Sequence, residues 1–210
     1  MIFRSLLGCN LALVVGLAVG LSAPAAAADT IVFAPSGGLA VDHDPGSPVN
    51  LGNVFTTSAA GRVTSLGFYT PTNLVGGGET VGLFDSTGTL LASTFVAVSV
   101  NTPGQYFFQS IAPVLLTAGQ QYTVVNFVGQ NGWAYGSVTS TGVNFDYNSY
   151  AYGATLAFTT STGGSGPAYL GPNLTIGAVP EPATWAMMLT GFGLIGMAKR
   201  RRQKAAATFA

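Results

Sequence analysis

Cysteine and histidine are almost absent from this sequence, since each occurs once, as Cys9 and His43. Cys9 lies in an N-terminal segment that we expect to be removed, so the remaining chain has no disulfide, no thiol nucleophile and no cysteine-based metal site. Hydrolytic triads use a histidine as general base, and no serine stands in a Gly-x-Ser-x-Gly elbow. The sequence therefore predicts a non-catalytic protein without a cofactor.

Positive charge is equally scarce. Charged residues make up 7% of the chain, and Arg62 is the single lysine or arginine between residues 29 and 178. The same range holds six acids, which gives a net charge of −5 (six negative against one positive): Asp29, Asp42, Asp44, Glu79, Asp85 and Asp146. One basic residue provides no electrostatic surface for nucleic acid or for anionic lipid. Nucleic acid is therefore excluded as a partner of this range.

These six acids are also the source from which any pair of catalytic carboxylates for glycoside hydrolysis would have to come. Most of them lie in stretches that are typical of turns. A glycoside hydrolase is therefore a weaker alternative than a non-catalytic surface protein or a carbohydrate-binding module.

Helical periodicity is absent between residues 29 and 178, where no stretch combines a sustained 3.6-residue pattern with helix caps. Short apolar runs instead recur about every 8–12 residues, separated by Gly, Pro or Asn, which is typical of all-β proteins. Without crossover helices the sheets must be antiparallel. We therefore predict an antiparallel two-layer β-sandwich over residues 29–178, flanked by an N-terminal signal peptide and a C-terminal short transmembrane helix.

Two hairpins are predicted from turn residues. Asp85-Ser86-Thr87-Gly88 is a four-residue turn in which Asp85 is expected to cap the backbone amides of its own loop. The turn at 117–119 is expected to join strands at 113–116 and 122–128 into a second hairpin.

Two loops are predicted from glycine and proline content, at residues 35–50 and 161–166. The first contains Asp42-His43-Asp44, and carboxylates around a histidine suggest a divalent cation. A metal site needs further ligands, so Asp42 and Asp44 are weak candidates and a solvated loop is the favoured interpretation.

Three stretches resemble a family of uncharacterised exported β-sandwich domains: LGFY (66–69), VGLFDSTGTLLAS (81–93) and PVLLTAGQQYTVV (113–125). The resemblance covers about residues 50–128. It implies a fold and no activity.

The N-terminal residues 1–28 are typical of a secretory signal peptide. Arg4 supplies the positive n-region, and residues 11–21 form the apolar h-region. Ala26-Ala27-Ala28 offers a cleavage site before Asp29, and cleavage one or two residues earlier is equally allowed.

The C-terminal residues 179–204 combine three parts in fixed order: Pro180-Glu181-Pro182, an apolar run at 183–198, and a basic cluster containing Arg200, Arg201 and Arg202. A short tail, 205–210, follows. The segment resembles the PEP-CTERM sorting signal of exported bacterial proteins. That resemblance implies recognition by exosortase, a membrane-embedded processing enzyme, usually in bacteria that make exopolysaccharide.

The apolar run is short for a permanent membrane anchor. Sixteen residues of helix extend roughly 24 Å, against roughly 30 Å for the hydrocarbon core. A transient span suits this length, with the basic cluster on the cytoplasmic side. A simple C-terminal anchor is the alternative.

The stretch 126–152 interleaves aromatic rings with side-chain amides. Rings stack on the C–H faces of sugars and amides pair with hydroxyls, so this stretch suggests a glycan-binding surface. Its candidate residues are Trp133, Tyr135, Asn144, Tyr147 and Tyr150. Ordinary packing of aromatic strand residues is the favoured alternative.

Together these features predict a non-catalytic exported protein of the cell surface or extracellular matrix, anchored in the membrane before processing. It is expected to be sorted by exosortase and to associate with exopolysaccharide or biofilm. The alternative is a carbohydrate-binding module that uses residues 126–152.

Overall fold

The computed structural model describes residues 29–42, 47–71, 77–98, 103–129, 132–164, 167–178, 188–197 and 199. Thirteen strands lie in this part of the chain. They are β1 (Thr30–Ile31), β2 (Phe33–Asp42), β3 (Val49–Thr57), β4 (Gly61–Tyr69), β5 (Gly78–Asp85), β6 (Leu90–Ala97), β7 (Tyr106–Leu116), β8 (Gln121–Val128), β9 (Trp133–Ser140), β10 (Val143–Tyr152), β11 (Ser161–Gly164), β12 (Ala168–Tyr169) and β13 (Pro172–Ala178).

The strands form three sheets, and every pairing between them is antiparallel. The six-stranded sheet has the order β11-β10-β3-β8-β5-β6, the four-stranded sheet β1-β13-β4-β7, and the three-stranded sheet β12-β9-β2. The prediction of an all-β, antiparallel fold is confirmed. The two-layer arrangement stays a prediction.

The first predicted hairpin is confirmed, because β5 and β6 pair on either side of residues 86–89. The Asp85 carboxylate accepts hydrogen bonds from the backbone amides of Thr87 and Thr89, both at 2.9 Å, and from the Thr87 hydroxyl at 2.7 Å. Asp85 therefore caps its own turn, as expected. The hydroxyl of Thr87 and then the amide of Thr89 lower the pKa of Asp85 below its ordinary value.

The second predicted hairpin is wrong. β7 belongs to the four-stranded sheet and β8 to the six-stranded sheet, so the turn between them carries the chain from one sheet to another. This turn is held by a residue from elsewhere in the chain, since Gly119 donates to the Thr57 carbonyl at 2.8 Å and Thr57 donates to the Gln120 carbonyl at 3.1 Å. Two short apolar runs around a glycine have the same local sequence pattern in a hairpin as in a turn that joins two sheets. Only the distant partner of the turn distinguishes the two arrangements.

The two predicted loops are also partly wrong. Residues 33–42 form β2 and residues 161–164 form β11, each at the edge of its sheet. Proline and glycine are tolerated at sheet edges, where one side of the strand needs no ladder hydrogen bonds. In β2 the pairing with β9 shifts between Pro35 and Leu39, so the glycines of this stretch fall in a bulge.

The hydrophobic core draws on all three sheets. Phe33 of β2 packs edge-on against Phe55 of β3, with ring centroids 5.9 Å apart, and against Phe145 of β10 at 6.1 Å. Leu66 of β4 and Leu174 of β13 join the same cluster and are fully buried. Burial of such side chains contributes about 1.5–3 kcal/mol each, so this shared cluster is the main stabilising contact between the sheets.

Buried asparagine amides complete the connections between the sheets. Asn53 of β3 donates to the carbonyls of Tyr169, at 2.6 Å, and Pro172, at 3.3 Å, and accepts from the Tyr169 amide at 3.0 Å. Asn173 of β13 accepts from the Phe33 amide at 3.1 Å and donates to the Phe33 carbonyl at 2.7 Å. Both side chains are fully buried. They satisfy backbone groups of strands that belong to other sheets.

A strap, residues 153–160, crosses the six-stranded sheet after β10. Asn50 holds it by donating to the Thr155 carbonyl at 3.1 Å and accepting from the Ala157 amide at 2.9 Å. Gly52 of β3 leaves room for it, because a Cβ there would stand 2.6 Å from the Thr159 hydroxyl.

The C-terminal stretch contains one short helix among the described residues, at 188–197 and 199. No helix in the described ranges has the length and apolar character needed to cross a membrane. The predicted signal peptide and the predicted sorting residues Pro180–Pro182 and Arg200–Arg202 lie outside the described residues.

We predict that Asn53→Leu lowers the free energy of unfolding by about 2–4 kcal/mol, because it leaves buried backbone groups of Tyr169 and Pro172 without partners. Asn144→Leu is the matched control, since Asn144 is an exposed asparagine on the neighbouring strand β10. It should change stability by no more than about 0.5 kcal/mol. Urea denaturation of both variants measures the difference, and equal midpoints would show that the amide of Asn53 is dispensable.

Candidate functional site

A small aromatic pocket lies where the three-stranded and six-stranded sheets approach each other. Four rings form its walls, those of Trp133, Tyr150, Tyr152 and Tyr169, and the buried side chains of Val49 and Leu51 line it as well. Its volume is about 150 Å³. We call this cavity the aromatic pocket.

The strand registers explain why these rings meet. Tyr150 and Tyr152 are two residues apart on β10, so both side chains lie on the same face. In the β10–β3 ladder they stand directly opposite Leu51 and Val49. The two rings meet edge-to-face, with centroids 5.9 Å apart and an interplanar angle of 76°. Trp133 and Tyr169 complete the pocket from β9 and β12.

The rings differ in exposure. Trp133, Tyr150 and Tyr169 are half-buried, whereas Tyr152 is 69% exposed. An exposed ring beside half-buried ones leaves the pocket open on one side. A ligand of a few heavy atoms, or one unit of a longer chain, can therefore reach the aromatic faces.

The electrostatic setting is weakly negative. Burial raises the pKa of Tyr169, and the neighbouring Tyr150, Tyr152 and Asp42 raise it further. Tyr169 is therefore a neutral phenol at physiological pH. Asp42 stands opposite Trp133 in the β2–β9 ladder, which places a carboxylate on the strand beside the pocket. None of the six residues that line the pocket is charged.

The structure brings together two of the five residues predicted for glycan binding, Trp133 and Tyr150. Tyr135 lines a separate hollow of about 520 Å³ together with Phe145. Asn144 is exposed and Tyr147 is half-buried, and neither lines the aromatic pocket. The glycan-binding role of all five stays a prediction.

The five candidate residues did not include Tyr152, which lies in the 126–152 stretch, or Tyr169, which lies outside it. Tyr152 follows Tyr150 with the period of a strand, and this spacing could have marked it. Tyr169 comes from a two-residue strand beyond the strap and carries no local signal.

The amides of the 126–152 stretch are used differently from the predicted pairing with sugar hydroxyls. Asn126 and Asn148 are buried. Asn126 donates to the Glu79 carboxylate, and Asn148 donates to the Pro167 carbonyl at 2.6 Å. These two amides therefore bond inside the protein and are not available to an external ligand.

The carboxylates have separate local roles. Asp146 accepts hydrogen bonds from the Thr56 hydroxyl at 2.8 Å and from the side-chain amide of Gln121 at 2.9 Å. Glu79 is buried in β5, and Asp29 accepts from the Thr64 hydroxyl.

The weak metal candidates are divided between described and undescribed residues. Asp42 ends β2, and Asp44 lies outside the described residues. Within the described ranges, no group of three or more His, Cys, Asp or Glu side chains is positioned to hold a metal ion.

Comparison with protein families gives two matches. Residues 178–202 match the PEP-CTERM protein-sorting motif, which confirms the resemblance of the C-terminal segment. Residues 37–169 match the family described as "Domain of unknown function (DUF4082)". A comparison with curated proteins finds no match.

The PEP-CTERM motif is a signal that exosortase recognises, and it implies an exported protein of the cell surface. The second match covers more than half of the chain and most of the described strands. All four rings of the aromatic pocket lie within it, and Tyr169 is its last residue. The chain therefore belongs to the DUF4082 family and ends in a PEP-CTERM sorting motif.

Proposed function

We propose that this chain is a non-catalytic protein of the cell surface or extracellular matrix that exosortase processes after export and that associates with exopolysaccharide. The observation that carries the proposal is the PEP-CTERM motif at residues 178–202. An enzyme that reads this motif acts at the membrane, so the chain would be held there through the apolar run at 183–198 until it is processed. Removal of residues 1–28 during export belongs to the same proposal.

The described fold supports a binding or structural role. A shared core joins the sheets, which favours face-to-face packing as a β-sandwich. The Asp85 carboxylate accepts a hydrogen bond from a backbone amide of its own turn, and the Asp146 carboxylate accepts one from the Gln121 side chain. The two carboxylates lie on different strands. This arrangement gives no support to a glycoside hydrolase, which needs two carboxylates facing one sugar bond.

Carbohydrate binding is the second candidate function, and the aromatic pocket favours it. Rings that stand open to solvent at the junction of two sheets can stack on a sugar ring. The pocket contains Trp133 and Tyr150, two of the five residues predicted from the sequence, together with Tyr152 and Tyr169. In this proposal, binding through the pocket retains the exported protein in the polysaccharide.

We predict that Trp133→Ala weakens binding of the exported protein to exopolysaccharide by roughly tenfold, because a central aromatic contact is worth at least about 1 kcal/mol. Phe95→Ala is the matched control, since Phe95 is an aromatic residue that is 54% exposed on β6 and does not line the pocket. Co-sedimentation with purified polysaccharide measures the affinity, and urea denaturation measures stability in parallel. An unfolding free energy lowered by about 3–5 kcal/mol would identify Trp133 as core and remove this support.

We predict that Glu181→Ala, or replacement of Pro180 and Pro182 by Ala, blocks processing and leaves a full-length, membrane-held form. Mass spectrometry of released protein should show residues 185–202 removed in cells with exosortase. Cells without exosortase, and a variant altered in the 205–210 tail, serve as controls. Released protein that still carries residues 185–202 would contradict processing and favour a simple anchor.

A further inference from the structure

The aromatic pocket has few groups that can read the hydroxyls of a neutral sugar. Its lining consists of four rings and two aliphatic side chains, so its polar side-chain groups are three phenol hydroxyls and the indole N–H of Trp133. The amides that would normally pair with sugar hydroxyls are elsewhere: Asn126 and Asn148 bond inside the protein, and Asn144 lies outside the pocket. The pocket is therefore better suited to a group recognised mainly by aromatic faces.

Aromatic faces carry partial negative charge and attract cations, and several rings around one cavity are the usual receptor for an organic ammonium group. Trp133 has the most strongly attracting ring of the four, and three tyrosines accompany it. A volume of about 150 Å³ accommodates an ammonium group together with the carbons attached to it.

The charges around the pocket favour the same ligand. Asp42 is paired with Trp133 across the β2–β9 ladder, and its charge is felt at Tyr169. Residues 29–178 hold a single lysine or arginine, Arg62, which lies in β4 of the four-stranded sheet. The site thus has a carboxylate beside it and no basic side chain in its lining.

We propose that the aromatic pocket binds the ammonium group of an amino sugar, so that the polysaccharide recognised by this protein contains hexosamine units with free amino groups. Asp42 supplies the opposing charge, and the four rings enclose the cation. This inference rests on the proposed binding of exopolysaccharide and specifies its chemical class.

The test compares two oligosaccharides of equal length, a glucosamine hexamer and an N-acetylglucosamine hexamer. Isothermal titration calorimetry with the exported protein is done at about pH 6, where a free amino group is protonated. We expect the glucosamine hexamer to bind at least about tenfold more tightly, with an affinity that falls as salt is added. Tetramethylammonium chloride, at the ionic strength of a sodium chloride control, should compete for the pocket.

Two variants assign the binding to the pocket. Asp42→Asn should reduce the affinity for the glucosamine hexamer about tenfold and leave the N-acetylated hexamer nearly unchanged. Asp85→Asn is the control with the same change of charge, because Asp85 lies in the β5–β6 turn and does not line the pocket. Tyr152→Ala removes a mostly exposed ring, and it tests whether the rings of the aromatic pocket hold the cation without a change in the core.

The outcomes separate this inference from the proposed function. Equal binding of both hexamers, or no effect of Asp42→Asn, overturns ammonium recognition and leaves glycan binding in place. Failure of tetramethylammonium to compete also overturns it. If neither hexamer nor the purified exopolysaccharide binds, both the inference and the binding function are wrong.

Discussion

Buried side-chain amides that bond to backbone groups are the constraint on which the rest of this structure depends. Residues 167–173 pass from the three-stranded sheet to the four-stranded sheet, and their pairings with β9 and β4 leave part of this backbone to bond with side chains instead. Asn53 bonds to Tyr169 and Pro172 from a fully buried position, and Asn148 bonds to Pro167. Asn173, at the end of the segment, bonds in turn to both backbone groups of Phe33. An unsatisfied buried polar group costs about 1–3 kcal/mol, so apolar packing alone would not hold this segment in place.

The aromatic pocket is a result of that constraint. Asn53 bonds to both backbone groups of Tyr169, so the amide that ties the sheets together also places one ring of the pocket. Trp133 comes from the three-stranded sheet, whereas Tyr150 and Tyr152 come from the six-stranded sheet. The pocket is therefore formed between sheets, and its shape depends on how the sheets are joined.

The elements that sequence reasoning predicted correctly are those with local causes. The turn at Asp85 forms because its carboxylate reaches amides two and four residues ahead, and the chain shows this directly. The turn at 117–119 has a similar pattern but takes its partner from Thr57, far away in the sequence. The asparagines of β10 show the same limit of sequence reasoning, because Asn144 and Asn148 stand in similar sequence surroundings. Only the fold shows that Asn148 is buried and Asn144 is exposed. Tyr169 was missed for this reason, because Asn53, far away in the sequence, fixes its position.

The borders of the sheets have a consequence for an exported protein of the cell surface. A free strand edge can pair with another copy and start aggregation. Among the described strands, β1 and β12 at two borders have two residues each, β11 has four, and β2 and β7 contain Pro35 and Pro113 and have irregular pairing. β6 is regular along most of its length and exposes Phe95, but it lies beside β7. Crowded copies thus have little opportunity to polymerise through β-strand addition.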